Sequence, residues 1–115
     1  MGHLQTLFDQ CLQQAGITID AVTELCSIEL KADETGLIEL AQRLQLPYHT
    51  YTAAQLQTTE SQLSTRSDYI YKITGVYGVA ESAALFAAKQ RSAGGAELIL
   101  TKQKTARATC AIARY

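Results

Sequence analysis

The 115-residue chain predicts an α/β fold: a single layered domain over residues 1–115, with a mixed β-sheet flanked by helices and a C-terminal β-hairpin. Three observations carry this. Short apolar runs with strand chemistry alternate with amphipathic helical stretches through the first half. An alanine-rich helical stretch, "VAESAALFAAKQR", precedes two short apolar runs joined by a polar tip. Finally, the chain opens directly on a helix with an apolar face. Such a helix normally follows a strand in an α/β unit, so the pattern implies that a first strand is missing.

The elements follow in order. Leu4, Leu7, Phe8, Cys11, Leu12 and Ala15 recur at spacings of three and four, which predicts an amphipathic helix stopped by Gly16. In "TIDAVTEL", Asp20 is a candidate N-cap for a short second helix. "LCSIEL", residues 25–30, reads as a buried strand. Asp33 then reads as the N-cap of "ETGLIELAQRL", with Leu37, Leu40, Ala41 and Leu44 on one face. Pro47 breaks that pattern and "YHTYT" reads as a second strand. Thr52 and Gln55 have capping-box spacing for a short helix over 53–57. Residues 57–67 are polar and read as a loop, and "DYIYKITG" as helical or irregular. Val79, Ala83, Phe86 and Ala87 face inward in the alanine-rich helix. "SAGGAE" reads as a turn, and "LILT" and "TCAIAR" as strands joined by a basic tip, "KQKTAR".

Composition narrows the function classes. Hydrophobic content of 47% and charged content of 18% suit a globular domain, and the net charge of −1 gives no general pull toward nucleic acid or a membrane surface. No apolar run approaches the ~18–20 residues that span a bilayer. "MGHLQTLFDQ" has neither the basic region nor the apolar core of a signal peptide, so a cytoplasmic location is expected. Cys11, Cys26 and Cys110 are odd in number and lack C-x-x-C spacing, so they read as small core residues rather than a disulfide framework or zinc site. His3 and His49 are far apart, and no metal site is expected.

Charge is distributed unevenly. Lys102, Lys104, Arg107 and Arg114 fall in the last eighteen residues, which contain no acid, although the chain as a whole has eleven acidic groups and ten basic ones. Three places could therefore carry chemistry. In "ELKADETG" a strand hands over to a helix, where open α/β sheets bind ligands, and Lys31 and Glu34 lie there. The alternative is a solvated lysine with an acid that favours the helix dipole. In "GVYGVAES", Gly75 and Gly78 precede a helix N-terminus whose free N–H groups could receive an anion, with Glu81 in the first turn. The alternative is a simple turn. In "TKQKTAR", Lys102 and Lys104 share a strand face and Arg107 returns near them across the turn. Here the alternative is a charged edge that discourages strand pairing. Nucleic acid is disfavoured because no aromatics interleave with the basic run. If the domain does chemistry, Glu34 and Glu81 are the available acid/base groups.

Taken together, three segments resemble the cobalamin-biosynthesis family of CobE and the CbiG C-terminal domain. They are K-x-x-E-x-G-L at Lys31, Glu34, Gly36 and Leu37; G-x-x-x-V-x-E-x-A-A-L at Gly75, Val79, Glu81, Ala83, Ala84 and Leu85; and K-x-K followed by T-x-A-I-A-R at Lys102, Lys104, Thr109, Ala111, Ile112, Ala113 and Arg114. Family members usually open with a strand and a G-x-G-C-type turn, and this sequence has neither. The resemblance implies a role in building the corrin ring: binding a carboxylate-rich precorrin or cobalt-precorrin, as part of a cobalt-precorrin-5A hydrolase that opens a lactone with loss of acetaldehyde. It also allows a non-catalytic docking or carrier domain for another enzyme of the pathway, such as a precorrin methyltransferase, or for an upstream domain, and it allows a homodimer. Whether the domain is itself an enzyme stays open. On this reading Glu34 and Glu81 are the catalytic candidates, and Lys31, Gly75, Gly78, Lys102, Lys104 and Arg107 hold substrate. The protein supplies no cofactor or metal, since any cobalt travels in the macrocycle.

Overall fold

The computed structural model describes residues 2–91, 95–105 and 108–115. In chain order the elements are α1 (Gly2–Ala15), β1 (Leu25–Ile28), α2 (Thr35–Leu44), β2 (Tyr48–Tyr51), α3 (Ala53–Gln57), α4 (Asp68–Thr74), α5 (Val79–Arg91), β3 (Glu97–Lys104) and β4 (Thr109–Arg114). Short 3₁₀ turns cover Ile19–Ala21, Glu29–Lys31 and Glu60–Gln62. The α/β class is as the sequence predicts.

The mixed character expected of one sheet is divided between two strand pairs. β1 and β2 pair in parallel, Leu25 opposite Tyr48 through Ile28 opposite Tyr51. β3 and β4 form an antiparallel hairpin, Glu97 opposite Arg114 through Lys104 opposite Thr109. Among the described residues the two pairs are separate sheets.

Alternation along β1 assigns the layers, because successive strand residues face opposite sides. Leu25 packs with Phe8, Leu12 and Leu40 of α1 and α2, and Ile112 of β4 joins the same cluster. Cys26 and Ile28 turn the other way, into a cluster with Leu56, Val76, Ala83 and Phe86. Strands thus lie between α1/α2 on one side and α3/α5 on the other. α5 is the hub: it packs against β1, β3, β4 and α3. Its Ala83 and Leu85 are fully buried and Ala87 and Ala88 nearly so. Small side chains let the helix sit close to both strand pairs.

Several local expectations shift for identifiable reasons. β1 stops at Ile28, and Glu29–Lys31 coil into a 3₁₀ turn. The N-cap position of α2 is taken by Glu34 rather than Asp33, with no side-chain capping bond. Thr18, not Asp20, precedes the first 3₁₀ turn. "DYIYKIT" is helical, with the Ser67 hydroxyl accepting the Ile70 N–H at 3.2 Å. β3 runs to Lys104, so Lys102 and Lys104 lie on the strand and not in the tip. The Thr52–Gln55 capping box forms with both bonds, 3.1 and 2.8 Å. At Gly36 a Cβ would come within 3.0 Å of the Leu4 Cδ1, so the missing side chain is what lets α2 approach α1 closely.

Candidate functional site

Glu81 is the most constrained acid in the protein. It lies in the first turn of α5 and is 3% exposed. Its Oε1 accepts the Ser64 N–H at 2.8 Å, and its Oε2 accepts the Ser64 hydroxyl at 2.5 Å and the Lys102 N–H at 2.7 Å. A buried carboxylate is tolerated only with such partners, and the helix N-terminus adds its dipole. The Lys102 bond has a backbone cause. The β3–β4 register slips between Leu100 and Gln103, so β3 carries a bulge there. A bulge removes N–H groups from the ladder. Glu81 takes up the one at Lys102.

The Lys102 side chain is half-buried and that of Lys104 exposed. Neither forms an ion pair among the described residues. At the tip, the Thr105 N–H donates to the Ala108 carbonyl at 2.8 Å and the Ala108 N–H to the Thr105 hydroxyl at 3.1 Å. Arg107 lies outside the described residues. At the open end of the hairpin, Arg114 pairs with Glu97 at 2.7 Å, both largely exposed.

Gly75 and Gly78 bracket the approach to α5. Gly75 closes α4 at φ +86°, where a side chain is strained, and a Cβ would also stand 3.2 Å from the Ala53 Cβ. Its carbonyl accepts the Gln57 amide at 2.7 Å. The Gly78 carbonyl accepts the Ser82 N–H at 3.2 Å and opens α5. The Ser67 N–H donates to the Tyr77 carbonyl between them at 3.0 Å.

Lys31 and Glu34 form a second, separate group beyond the carboxyl end of β1. The Glu34 N–H donates to the Lys31 carbonyl at 3.1 Å, and the Tyr48 hydroxyl donates to that same carbonyl at 2.9 Å. Both side chains are exposed. Burial raises the Tyr48 hydroxyl pKa, and the Glu34 charge adds to that rise. The structure therefore joins Glu81 directly to Lys102, and Lys31 to Glu34. Among the described residues no hydrogen bond or ion pair links the two groups.

One cluster was not visible in the sequence. The Glu24 carboxylate, 7% exposed, receives His49 Nδ1, the Tyr51 hydroxyl at 3.3 Å and Arg91 Nε at 3.3 Å. Burial pushes Tyr51 up to about 12, and the Glu24 charge adds to that. Cys26, beside them on β1, is likewise pushed up to about 12 by burial and then Glu24. These residues lie 25, 27 and 67 positions from Glu24. Only the alternation of "YHTY", with His49 and Tyr51 on one strand face, hinted at a shared location.

Among the described residues no group of three or more His, Cys, Asp or Glu could hold a metal ion, and no helix is long and apolar enough to cross a membrane.

Comparison with known proteins places this geometry. The chain is 33% identical to the cobalt-precorrin-5A hydrolase of Priestia megaterium over 111 residues, which is 96% of this chain and 28% of that protein. It is 34% identical to protein CobE of Sinorhizobium sp over 107 residues, 93% of this chain and 67% of the relative. The chain thus spans little more than a quarter of the hydrolase. The crystal structure of CobE, a protein from the cobalamin (vitamin B12) biosynthetic pathway, superposes with a TM-score of 0.93 at 36% identity, covering 99% of this chain and 80% of that one. The model of the family described as cobalamin synthesis G C-terminus matches residues 1–113, and with this agreement of sequence and fold the chain belongs to that family.

Proposed function

We propose that this cobalamin-biosynthesis domain binds a carboxylate-rich precorrin or cobalt-precorrin intermediate through the Lys102–Lys104 strand. The observation that carries the reading is the Glu81–Lys102 bond. It fixes the backbone of a lysine whose own ammonium has no ion-pair partner among the described residues. A ligand with several acetate and propionate groups suits such ammonium groups. Lys31 adds positive charge at the end of β1, and Arg107, Gly75 and Gly78 complete the substrate-binding set read from the sequence. Any cobalt is held by the macrocycle.

The lactone opening that the family resemblance implies suggests the chemical step. Water adds to the acyl carbon, the acyl C–O bond breaks, and the proton removed from water ends on the departing oxygen. A carboxylate that accepts and returns that proton needs an unengaged oxygen. Glu34, exposed and without a capping bond, meets that need. Glu81 has both oxygens engaged and acts through Lys102 as a positioning residue.

Titration with cobyrinic acid, a corrinoid polycarboxylate, tests this. Saturable binding that weakens with salt and is lost in Lys102→Glu/Lys104→Glu is the expected result. Unchanged affinity in the folded double variant would overturn the reading.

One observation favours a second reading, that of a docking or carrier domain. α5 packs on both strand pairs, yet β1 and β4 belong to separate sheets. An extended segment of another polypeptide could pair with those edges. Size-exclusion chromatography with multi-angle scattering discriminates: a stable monomer at high concentration counts against self-pairing, and a dimer supports it.

A further inference from the structure

Glu24 takes no part in the corrinoid site, yet its carboxylate is almost as tightly held as that of Glu81. It stands just before β1, with its side chain 7% exposed. Oε1 accepts Arg91 Nε at 3.3 Å, from the last turn of α5. Oε2 accepts the Tyr51 hydroxyl at 3.3 Å and also meets His49 Nδ1, both from β2. Tyr51 is held in its turn by an edge-on contact with Phe86, ring centroids 4.9 Å apart. Arg91 already balances the Glu24 charge. The His49 contact therefore does most for the imidazole, whose orientation it fixes.

That contact also sets the tautomer. An ionised carboxylate only accepts hydrogen bonds, so in the neutral ring Nδ1 carries the proton and Nε2 keeps its lone pair. The His49 side chain is 52% exposed, and its bond to Glu24 is made through Nδ1 alone. Nε2 makes no hydrogen bond among the described residues. A basic nitrogen is thus held ready on a half-exposed ring, with a buried carboxylate behind it. Cys26 stands opposite His49 in the strand register. Burial pushes its thiol up to about 12, so near neutral pH it keeps its proton and is a poor nucleophile. Water is the nucleophile this arrangement can activate.

We propose that His49, positioned by Glu24, is a general base for the hydrolysis of a carboxylic ester or lactone. Nε2 takes a proton from water as the water oxygen bonds to the acyl carbon. The acyl C–O bond then breaks, and the imidazolium returns the proton to the departing oxygen. Glu24 does not touch the substrate; it keeps the ring oriented and stabilises the imidazolium while it lasts. This centre stands apart from the corrinoid reading. Among the described residues no hydrogen bond or ion pair joins the Glu24 group to Lys102 or to Glu34.

The test uses the whole chain and dihydrocoumarin, a lactone whose opening is followed by absorbance. After subtraction of the spontaneous rate, the wild type should exceed His49→Gln by at least about a hundredfold. Imidazole added to His49→Ala should restore part of the rate. His3→Gln, which removes the other histidine of the chain, should keep it. Glu24→Gln should lower kcat more than it changes KM. Nitrogen-15 spectra should show the Nδ1–H tautomer of His49 in the wild type and its loss in Glu24→Gln, a signature that a merely structural contact with the backbone fold would not move. All variants are checked as folded by circular dichroism. Equal rates in the wild type and His49→Gln, or no opening above the spontaneous rate, would overturn the proposal. So would a wild-type spectrum with the proton on Nε2, which decides the matter even if the His49 variants do not fold. If Glu34→Gln loses the activity and His49→Gln keeps it, the chemistry belongs to the end of β1, and the His49 centre is overturned while the corrinoid reading stands.

Discussion

The Glu81 carboxylate and the Lys102 backbone N–H, 21 residues apart in the chain, meet at 2.7 Å at a bulge in β3. This bond fastens the start of α5 to the middle of the hairpin, and through Ser64 to the preceding loop. Glu81→Ala would leave buried donors without an acceptor, each costing about 1–3 kcal/mol. Chemical denaturation should show a loss of about 3 kcal/mol, and hydrogen exchange at the Lys102 amide should accelerate. Glu81→Gln keeps an acceptor oxygen and should lose less. Equal stability of Glu81→Ala and wild type would sink this role.

Gly75→Ala should destabilise the domain by roughly 1–2 kcal/mol. The φ of +86° and the 3.2 Å approach to the Ala53 Cβ both act against a side chain there. Gly16→Ala shares the positive φ but meets nothing within 4 Å, so thermal melts should rank it as the milder change.

Leu56 and Leu85 are fully buried. Truncating either to Ala removes apolar contact and leaves a cavity, at a cost of about 2–5 kcal/mol. Urea titrations should show this as a lower midpoint with an unchanged slope.

Alkaline pH should weaken the fold. Tyr51 and Cys26 are acids whose folded pKa values are raised to about 12 from 10.0 and 9.0, so the folded state holds their protons more tightly than the unfolded chain. The stability this gives is fully present below pH 9 and falls away between about 9 and 12. Denaturation midpoints measured at pH 8 and pH 11 should differ in that direction, and Cys26→Ser/Tyr51→Phe should flatten the difference. The same burial predicts slow modification of Cys26 by thiol reagents at pH 8 compared with the unfolded chain.

Much of this architecture was legible in the sequence. The 3.6-residue period of α1, the Thr52–Gln55 capping box and the small-residue face of α5 are local signals, and local physics delivers them. The division of the strands into two pairs was not legible, because apolar runs do not name their partners. Nor was the bulge near Lys102, which depends on how β3 twists against β4. The site residues show the same split. Glu81 and Lys102 could be singled out by type and segment, but their bond depends on tertiary packing. The Glu24–His49–Tyr51–Arg91 cluster draws on three distant elements, so no spacing rule could find it.

The position of α5 as the hub has a kinetic consequence. Its inner faces rest on β1, more than fifty residues before its start, and on β4, which is made after it. Contacts so distant in sequence carry a loop-closure cost before they stabilise anything, which slows folding. In a chain still being synthesised, α5 lacks its most extensive packing partner until residues 109–114 have emerged. Folding is thus expected to be late and concerted, with the parallel strands and the hairpin docking on one helix in the same step.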